Sequence, residues 1–284
     1  MRARSFLMKV TTDLFIIFYR FWHGDLHLRG AGYLLRLASK FLPSLRHYPL
    51  KVQGIGIVPV DLSDDSGMAW LNYSLGDRLQ EEGVLTFIAQ CSPLPRCIWD
   101  VGANGGYFGA QVAEMLPMLD FLYLFEPNPA LHEMLDVVAR SRKGIFYHPF
   151  ALTDKNGKAT ISLTLGNSPT ASLIPISEGR KIDVDVKTGD AFLAEYPEAI
   201  PDLLIIDVEG AERNVLMGIQ NMLKQHRPIV IFEQIFFDPS ILDVCMPNGY
   251  TRFTIDDNTG KLIPGYNLKA GHNGVFLYSE DAGS

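Results

Sequence analysis

Residues 98–108 are Ile98-Trp-Asp-Val-Gly-Ala-Asn-Gly-Gly-Tyr-Phe108, which joins an apolar run to a glycine-rich turn and the start of a helix. The turn has the pattern Asp100-x-Gly102-x-Asn104-x-Gly106. Glycine lets the backbone approach a ligand where a Cβ atom would block it, and the first turn of a helix presents free N–H groups. The stretch therefore predicts a strand, a turn and a helix that together hold a nucleotide-like ligand.

A second acidic position ends the next apolar run, Phe121-Leu-Tyr-Leu-Phe-Glu126-Pro-Asn128. Glu126 lies 26 residues beyond Asp100, close to the spacing at which a Rossmann unit presents a carboxylate to a ribose. A carboxylate at that place accepts hydrogen bonds from both ribose hydroxyls. The two motifs together predict a ribose-containing cofactor.

The turn favours S-adenosylmethionine over a dinucleotide. Asn104 stands where the pattern Gly-x-Gly-x-x-Gly has its second glycine, and a pyrophosphate needs the bare backbone of that glycine. The amino-acid end of S-adenosylmethionine is small and zwitterionic, so side chains such as Asp100 and Asn104 can meet it. A phosphate-binding P-loop is disfavoured, because no Gly-Lys-Ser/Thr follows the turn.

These residues resemble the FkbM-type methyltransferase family. The similarity covers the cofactor loop, the second and fourth strand ends and the following strand, in Asp100-Val-Gly-Ala-Asn104-Gly-Gly-Tyr107, Phe125-Glu126-Pro-Asn128, Ile206-Asp207-Val-Glu209-Gly-Ala-Glu212 and Pro228-Ile-Val-Ile-Phe-Glu233-Gln. The resemblance implies transfer of a methyl group from S-adenosylmethionine to a hydroxyl, often on a sugar or natural product. It implies that the cofactor-binding residues are Asp100, Val101, Gly102, Ala103, Asn104, Gly106, Tyr107, Glu126, Pro127, Asn128, Ala151, Leu152 and Asp207, with Ala151 and Leu152 at the adenine.

Strand and helix patterns alternate from Cys97 onward, as a parallel sheet requires. We expect a Rossmann-like class I methyltransferase fold, with a mostly parallel seven-stranded sheet closed by an antiparallel hairpin. A hairpin over 52–70 and a helix over 76–89 precede it. The expected core strands are 97–102, 121–126, 145–151, 202–207, 229–234, 250–255 and 274–278; helices span 129–140 and 211–225, and an insertion holds a strand over 159–164 and a polar loop over 166–173.

Methyl transfer to a hydroxyl needs a group that removes a proton. Asp207, Glu209 and Glu233 lie at or just after predicted strand ends, where the ligand crevice of a parallel sheet lies. His272, in Gly-His-Asn-Gly, is a further candidate base in a turn before the last strand. Glu212 is interpreted as a helix cap. Mg²⁺ held by Asp207, Glu209 and Glu233 is an alternative, because oxygen-only ligands suit that ion.

The charge distribution sets residues 1–52 apart from residues 53–284. The whole chain has a formal charge of −7, which argues against a nucleic-acid partner, yet residues 1–52 carry nine Lys or Arg and only two Asp or Glu. Apolar residues recur there at helical spacing, which predicts a basic amphipathic extension of two helices that packs on the core or a second subunit, or lies on a membrane surface. Three cysteines without a CxxC pair favour a cytoplasmic protein, and the basic segment is a candidate for peripheral contact with the inner membrane surface.

Three functions are candidates for a chain with these features. The first is an S-adenosylmethionine-dependent O-methyltransferase that acts on a hydroxyl of a glycan, glycolipid precursor or related natural product. The second is an NAD-dependent oxidoreductase, which Asn104 and the lack of a Tyr-x-x-x-Lys pair disfavour. The third is a non-catalytic scaffold with a methyltransferase fold, which the basic N-terminal segment suggests. Intact Asp100, Gly102 and Glu126 argue against the scaffold.

Overall fold

The computed structural model describes residues 14, 16–19, 31–75, 81–164, 171–172, 179–234 and 240–279. The chain forms two compact units, one made of Met1–Arg78 with Leu165–Pro169 and the other of Leu79–Thr164 with Thr170–Ser284. No helix of the described segments is long and apolar enough to cross a membrane. The division predicted between residues 52 and 53 stays a prediction, and a β-hairpin runs across that position.

The first unit consists of short helices and one hairpin. Residues 14 and 16–19 are helical. A helix begins at Asp65, inside the stretch 52–70 that was predicted as a hairpin, because the Asp64 carboxylate accepts a hydrogen bond from the Gly67 N–H at 2.7 Å and caps it. The elements are α1 (Ala31–Ser39), a 3₁₀ helix (Pro43–His47), β1 (Tyr48–Val52), β2 (Gly56–Val60) and α2 (Asp65–Ser74), with β1 and β2 antiparallel.

The second unit is built on an eight-stranded mixed sheet, so the expected seven-stranded sheet is wrong in strand number. The strand order is β13-β12-β14-β11-β10-β3-β4-β5; β11, β10, β3, β4 and β5 are parallel, and β14, β12 and β13 are antiparallel. The bounds of these strands are Cys97–Val101 (β3), Phe121–Phe125 (β4), Ile145–His148 (β5), Leu203–Ile206 (β10), Ile229–Glu233 (β11), Tyr250–Ile255 (β12), Leu262–Pro264 (β13) and Asn273–Tyr278 (β14).

Helices accompany this sheet in the alternating order that the sequence predicts. They are α3 (Glu82–Gln90), α4 (Tyr107–Met115), α5 (His132–Ser141), α6 (Gly189–Glu195), α7 (Glu212–Met217), α8 (Gln220–His226) and α9 (Ser240–Asp243). The central strands are buried along their whole length, as expected for parallel strands covered on both faces. Trp99 of β3 is fully buried, and its indole N–H donates to the carbonyl of Ala199 at 2.8 Å.

The predicted strand over 145–151 is interrupted, so Ala151 does not end a strand of the main sheet. β5 stops at His148 because Pro149 has no N–H to continue the ladder and Phe150 N–H turns back to the His148 carbonyl at 2.9 Å. Ala151 and Leu152 belong to a separate four-stranded sheet. Its strands are β6 (Ala151–Leu152), β7 (Gly157–Thr164), β8 (Ala171–Ser172) and β9 (Gly179–Lys187), in the order β6-β9-β7-β8.

The predicted helix over 211–225 is also wrong, because it is divided into α7 and α8 at Gly218. A Cβ atom at Gly218 would lie 2.0 Å from the Thr153 carbonyl oxygen, so the chain passes close to that backbone. The Asp190 carboxylate then accepts from the N–H groups of Asn221 and Met222, both at 2.9 Å, and starts α8. Most of the predicted loop over 166–173 lies outside the described residues.

Gly102 joins the ends of β3 and β10 more closely than any other residue type allows. Its φ is +89°, and an added Cβ atom would lie 1.8 Å from the Asp207 carbonyl oxygen. Asp207 N–H also donates to the Val101 carbonyl at 2.9 Å. The backbone segments that follow β3 and β10 are therefore in contact where they leave the sheet. Glycine is therefore required here by protein packing, in addition to any need to admit a ligand.

We expect Gly102→Ala to lower the free energy of unfolding by more than about 2 kcal/mol, because it combines a strained φ with a backbone clash. Gly265→Ala is the matched control, since Gly265 has φ +76° and no atom within 4 Å of an added Cβ. Urea unfolding of both variants measures the two effects. Equal losses in the two variants would show that the clash with Asp207 has no energetic importance.

Candidate active site

Four acidic residues stand at the carboxyl ends of adjacent parallel strands. Asp100 is the penultimate residue of β3, Glu126 and Asp207 directly follow β4 and β10, and Glu233 ends β11. The register pairs Asp100 with Ile205 and with Leu124, so these strands end at one edge of the sheet. This edge is where open α/β sheets bind ligands. The strand ends expected from the sequence are confirmed for these four acids.

Glu126 holds the glycine-rich turn against the sheet. Its carboxylate accepts from the Asn104 N–H at 3.1 Å through one oxygen and from the Asn128 N–H at 2.8 Å through the other. Asn104 has φ +49°, a left-handed conformation that asparagine tolerates, and its side-chain oxygen accepts from the Gly105 N–H at 2.7 Å. Each carboxylate oxygen of Glu126 keeps a second lone pair for a ligand donor.

Burial raises the pKa of the Asp100 and Glu126 carboxyl groups. Desolvation, followed by the charges of Asp207 and Glu126, raises the pKa of Asp100 to about 7. Desolvation raises the pKa of Glu126 to about 7 against the opposing effect of its two backbone hydrogen bonds. The buried Oδ2 atom of Asp100 has no hydrogen-bond partner in the described part of the protein. This group of acids is suited to a cationic ligand that donates hydrogen bonds.

The other predicted cofactor residues lie in the glycine-rich turn, at the start of α4 and in the smaller sheet. Gly106 has φ +79° and is the N-cap of α4, and Tyr107 is the first residue of that helix. Ala103 is buried beside the turn, and its N–H donates to the Phe125 carbonyl at 3.1 Å. Ala151 and Leu152 lie in the smaller sheet and are both buried, so the structure does not place them at the end of β5.

An open pocket of about 490 Å³ lies beside the same sheet edge. Asp207, Glu233 and His272, three of the four predicted catalytic candidates, line it together. Burial raises the pKa of Asp207 to about 7, against the opposing effect of its hydrogen bond with Glu233, and burial together with the charge of Asp207 raises the pKa of Glu233 to about 9. Its remaining lining residues are Glu81, Glu82, Asp257, Asn258 and Asn273. The lining contains no lysine or arginine among the described residues, so an anion would be repelled from it.

None of these five additional lining residues was predicted from the sequence. Gly83 lets the start of α3 approach the turn after β12, because a Cβ there would lie 2.4 Å from the Asp256 carbonyl oxygen. That close approach brings Glu81 and Glu82 to the pocket. Burial raises the pKa of Glu81 to about 8, with smaller contributions from nearby acids. The positive φ of Glu81, +62°, has no signature in the sequence.

Glu209, the fourth candidate, is not among the described lining residues of the pocket. It lies in a turn with φ +53°. The fully buried Glu212 carboxylate accepts from the N–H groups of Val208 and Gly210, at 3.3 and 3.1 Å, and so stabilises that turn. Glu212 therefore stabilises the turn before α7 and does not cap the helix as predicted, since the N-cap residue is Ala211 and no side chain makes a capping hydrogen bond. No three described Asp, Glu, His or Cys side chains are placed to share a metal ion, and Mg²⁺ at Asp207, Glu209 and Glu233 stays a hypothesis.

Comparison with known proteins identifies the family of this chain. The family model for the Methyltransferase FkbM domain matches residues 100–247, just over half of the chain. A methyltransferase FkbM from Methylobacillus flagellatus KT is 14% identical with a TM-score of 0.46, and the alignment covers 84% of this chain and 59% of that chain. Human N-acetylserotonin methyltransferase in complex with SAM is 10% identical with a TM-score of 0.37, over 75% and 56% of the two chains. No curated protein matches the sequence.

The buried acids make stability depend on pH. The pKa of Asp100 is higher in the folded chain than in the unfolded chain, so its contribution to stability is complete below about pH 4 and is lost as pH rises through about 7. We expect Asp100→Asn, which cannot ionise, to raise the free energy of unfolding at pH 8 by about 2–4 kcal/mol more than at pH 4.5. Denaturant unfolding at both pH values measures this difference.

Asp185→Asn is the control for that experiment, because Asp185 is an exposed carboxylate that pairs with Lys158 at the surface. It should change stability little at either pH. An effect of Asp100→Asn that is the same at pH 4.5 and pH 8 would contradict the assigned protonation of Asp100.

Proposed function

The chain belongs to the FkbM methyltransferase family, and from this premise we propose that it transfers a methyl group from S-adenosylmethionine to a hydroxyl oxygen. The observation that carries the proposal is the buried acidic group at the sheet edge, above all the unpartnered Oδ2 of Asp100. S-adenosylmethionine carries a sulfonium and an α-ammonium group, so it brings positive charge to this acidic group and N–H donors to the Oδ2 atom of Asp100, which has no hydrogen-bond partner in the described part of the protein. When bound, it supplies an electrophilic methyl group.

The residues of the turn and the two strand ends provide the cofactor site in this proposal. Glu126 receives the ribose hydroxyls on the lone pairs that its backbone hydrogen bonds leave available. Asp100 receives the ammonium group, and the start of α4 at Tyr107 covers the methionine portion. Asn104 contributes through the turn that its side chain stabilises. The adenine site at Ala151 and Leu152 is the weakest element, because these residues lie in the smaller sheet.

The pocket beside Asp207 and Glu233 is the proposed acceptor site. Its lining offers carboxyl, amide and imidazole groups, which pair with the hydroxyls of a polyol. Its volume of about 490 Å³ admits a sugar-sized group, and its open side allows the rest of a larger molecule to extend outward. These features support a hydroxyl of a glycan, a glycolipid precursor or a related natural product as the acceptor.

The two alternative functions agree less well with the same residues. A pyrophosphate at the turn would carry negative charge towards Asp100, Glu126 and Asp207, whose environment already resists ionisation. A scaffold has no use for these buried carboxyl groups, which cost stability at neutral pH. The acidic sheet edge therefore favours a catalytic methyltransferase over an oxidoreductase and over a scaffold.

Titration calorimetry tests the cofactor. We expect S-adenosylhomocysteine and S-adenosylmethionine to bind and NAD not to bind. Glu126→Gln should weaken S-adenosylmethionine binding by about 1.5–3 kcal/mol, because the variant loses charge-assisted hydrogen bonds to the ribose. Glu133→Gln is the control, since Glu133 is an exposed acid in the first turn of α5. Unchanged affinity in a folded Glu126→Gln protein would remove Glu126 from the cofactor site.

The same preparation tests the acceptor class. Release of S-adenosylhomocysteine is measured with sugar nucleotides, lipid-linked glycans and polyketides in turn, and mass spectrometry locates the added methyl group. Methylation of nitrogen or carbon would contradict the O-methyl proposal. Tight NAD binding would contradict the methyltransferase proposal itself.

We further propose that residues 1–52 contact an anionic membrane surface. Leu14 and Ile17 are each 61% exposed, and Phe18 is exposed as well, although the sequence placed all three on an apolar helix face. An exposed apolar face within a segment that carries seven excess positive charges is typical of a peripheral membrane helix. A second subunit is the alternative partner for that face.

Vesicle co-sedimentation of the full chain tests the membrane contact. We expect binding to vesicles that contain phosphatidylglycerol, and weaker binding at high salt because the charges are screened. Changing Leu14, Ile17 and Phe18 together to Ser should abolish binding. Ile57→Ser is the control, since Ile57 is 62% exposed in the hairpin of the same unit. A chain that ignores these vesicles and becomes monomeric in the triple variant would support the subunit instead.

A further inference from the structure

His272 and Asp257 form an imidazole–carboxylate pair on the lining of the acceptor pocket. Nδ1 of His272 lies 3.0 Å from Oδ2 of Asp257. The other carboxylate oxygen, Oδ1, accepts from the backbone N–H of His272 at 3.1 Å. Both residues line the pocket with Asp207 and Glu233. One carboxylate therefore holds both the backbone and the ring of His272.

The backbone around this pair is held from a second side. The Gln234 N–H donates to the His272 carbonyl at 2.9 Å, and the buried Gln234 side chain donates to the Gly271 carbonyl at 2.9 Å. A Cβ atom at Gly271 would lie 1.8 Å from the Ile255 carbonyl oxygen and 2.9 Å from Oδ1 of Asp257. Glycine at 271 therefore permits the contact between the two loops that bring Asp257 and His272 together.

The carboxylate oxygen 3.0 Å from Nδ1 favours one position of the ring hydrogen. A carboxylate only accepts hydrogen bonds, so the neutral imidazole carries its hydrogen on Nδ1 and has its lone pair on Nε2. We propose that His272 is the catalytic residue that accepts the proton of the substrate hydroxyl, and that Asp257 is the positioning residue that fixes its tautomer and orientation. This inference rests on the proposed methyl transfer to a hydroxyl.

With these two residues, each bond and the proton of the transfer are accounted for. The hydroxyl oxygen bonds the methyl carbon, the electron pair of the carbon–sulfur bond stays on sulfur, and the hydroxyl proton passes to Nε2 of His272. The imidazolium that forms lies beside the Asp257 carboxylate, which stabilises its positive charge. The side chain of His272 is 63% exposed, so the proton can then leave to water.

The other acids of the pocket are less suited to accepting this proton. Burial, then the charges of Glu209 and Glu212, raises the pKa of Asp207 to about 7, and burial with the charge of Asp207 raises that of Glu233 to about 9, so this close pair retains a proton when the pH is near neutral. Glu81 is in the same position, with a pKa raised to about 8. A carboxyl group that already carries a proton cannot take another from a substrate. These groups are available instead as hydrogen-bond partners for the acceptor.

Asp257 and His272 lie outside residues 100–247, the part of the chain that matches the FkbM methyltransferase domain. Asp257 lies in the connection from β12 to β13 and His272 in the connection from β13 to β14, on the antiparallel side of the sheet. The proposal therefore assigns proton removal to a part of this chain about which the family match makes no statement.

Nuclear magnetic resonance tests the pair without an acceptor. Two-bond nitrogen–proton correlation spectra of histidine-labelled protein should show the His272 ring as the tautomer with hydrogen on Nδ1, with the assignment made by loss of the signal in His272→Gln. Asp257→Asn should abolish this preference. Asp256→Asn is the matched control, because Asp256 accepts from Thr259 and Asn258 in the same turn.

Kinetics with the best acceptor of the panel gives the second readout. We expect His272→Gln to reduce kcat by about 10²–10⁴-fold with little change in S-adenosylmethionine affinity. Added imidazole should restore part of the activity of His272→Ala, which a merely structural role would not allow. Asp257→Asn should reduce kcat less. His226→Gln, at the exposed end of α8, is the control for loss of a histidine.

The pH profile distinguishes the imidazole from the surrounding acids. The charged groups that face His272 are Asp257, and Glu81, Glu82, Asp207 and Glu233 from the other elements of the pocket. If His272 is the group that accepts the proton, Asp207→Asn and Glu233→Gln should leave the acid limb of kcat unchanged. An acid limb that moves in Asp207→Asn or Glu233→Gln would overturn the proposal.

Failure of this proposal and failure of the proposed function give different results. If the wild-type chain does not bind S-adenosylmethionine, the proposed function fails. If it binds the cofactor but His272 has its hydrogen on Nε2, or Asp257→Asn leaves the tautomer unchanged, the pairing is wrong. Full turnover by His272→Gln would exclude His272 as the proton acceptor.

Discussion

Several carboxyl groups are buried side by side where the parallel strands end, and the arrangement of the site depends on how the fold tolerates them. Part of the repulsion is relieved by protonation, because burial raises the pKa of Asp100 and Glu126 to about 7. The backbone relieves another part, since Glu126 receives two N–H donors and Glu212 receives two more. Gly102 then allows the chain at Asp207 to approach β3 so closely that these acids share one crevice.

The features that follow from local sequence were predictable, and those that follow from long-range contacts were not. A short apolar run that ends in an acid is a local signal, and it placed Asp100, Glu126, Asp207 and Glu233 correctly at strand ends. Ala151 was misplaced because Pro149 breaks the strand in a run that otherwise has a strand pattern. The break between α7 and α8 depends on the backbone of Thr153, far away along the chain, so helical periodicity gives no sign of it.

The pocket beside Asp207 and Glu233 was even less predictable from the sequence. His272 was recognisable as a polar residue in a turn, but its partner Asp257 meets it only through the antiparallel pairing of β12 with β14, in which Ile255 faces Asn273. That register is a tertiary property. Glu81 and Glu82 reach the pocket through the packing of α3 on the turn after β12. The acids at the strand ends therefore follow from short local motifs, whereas the pocket as a whole is lined by five segments that are distant along the chain.

The raised pKa values of the buried acids also affect which group of the pocket is suited to proton transfer. Without a ligand, protonated carboxyl groups stabilise the fold, and that contribution disappears as pH rises through about 7. A cationic ligand favours the ionised carboxylates, so its binding and the removal of these protons are coupled. Groups whose protonation is tied to ligand binding in this way are poorly suited to cycle a proton at every turnover. A proton acceptor at the exposed margin of the pocket, where His272 lies, exchanges with water without disturbing the buried acids.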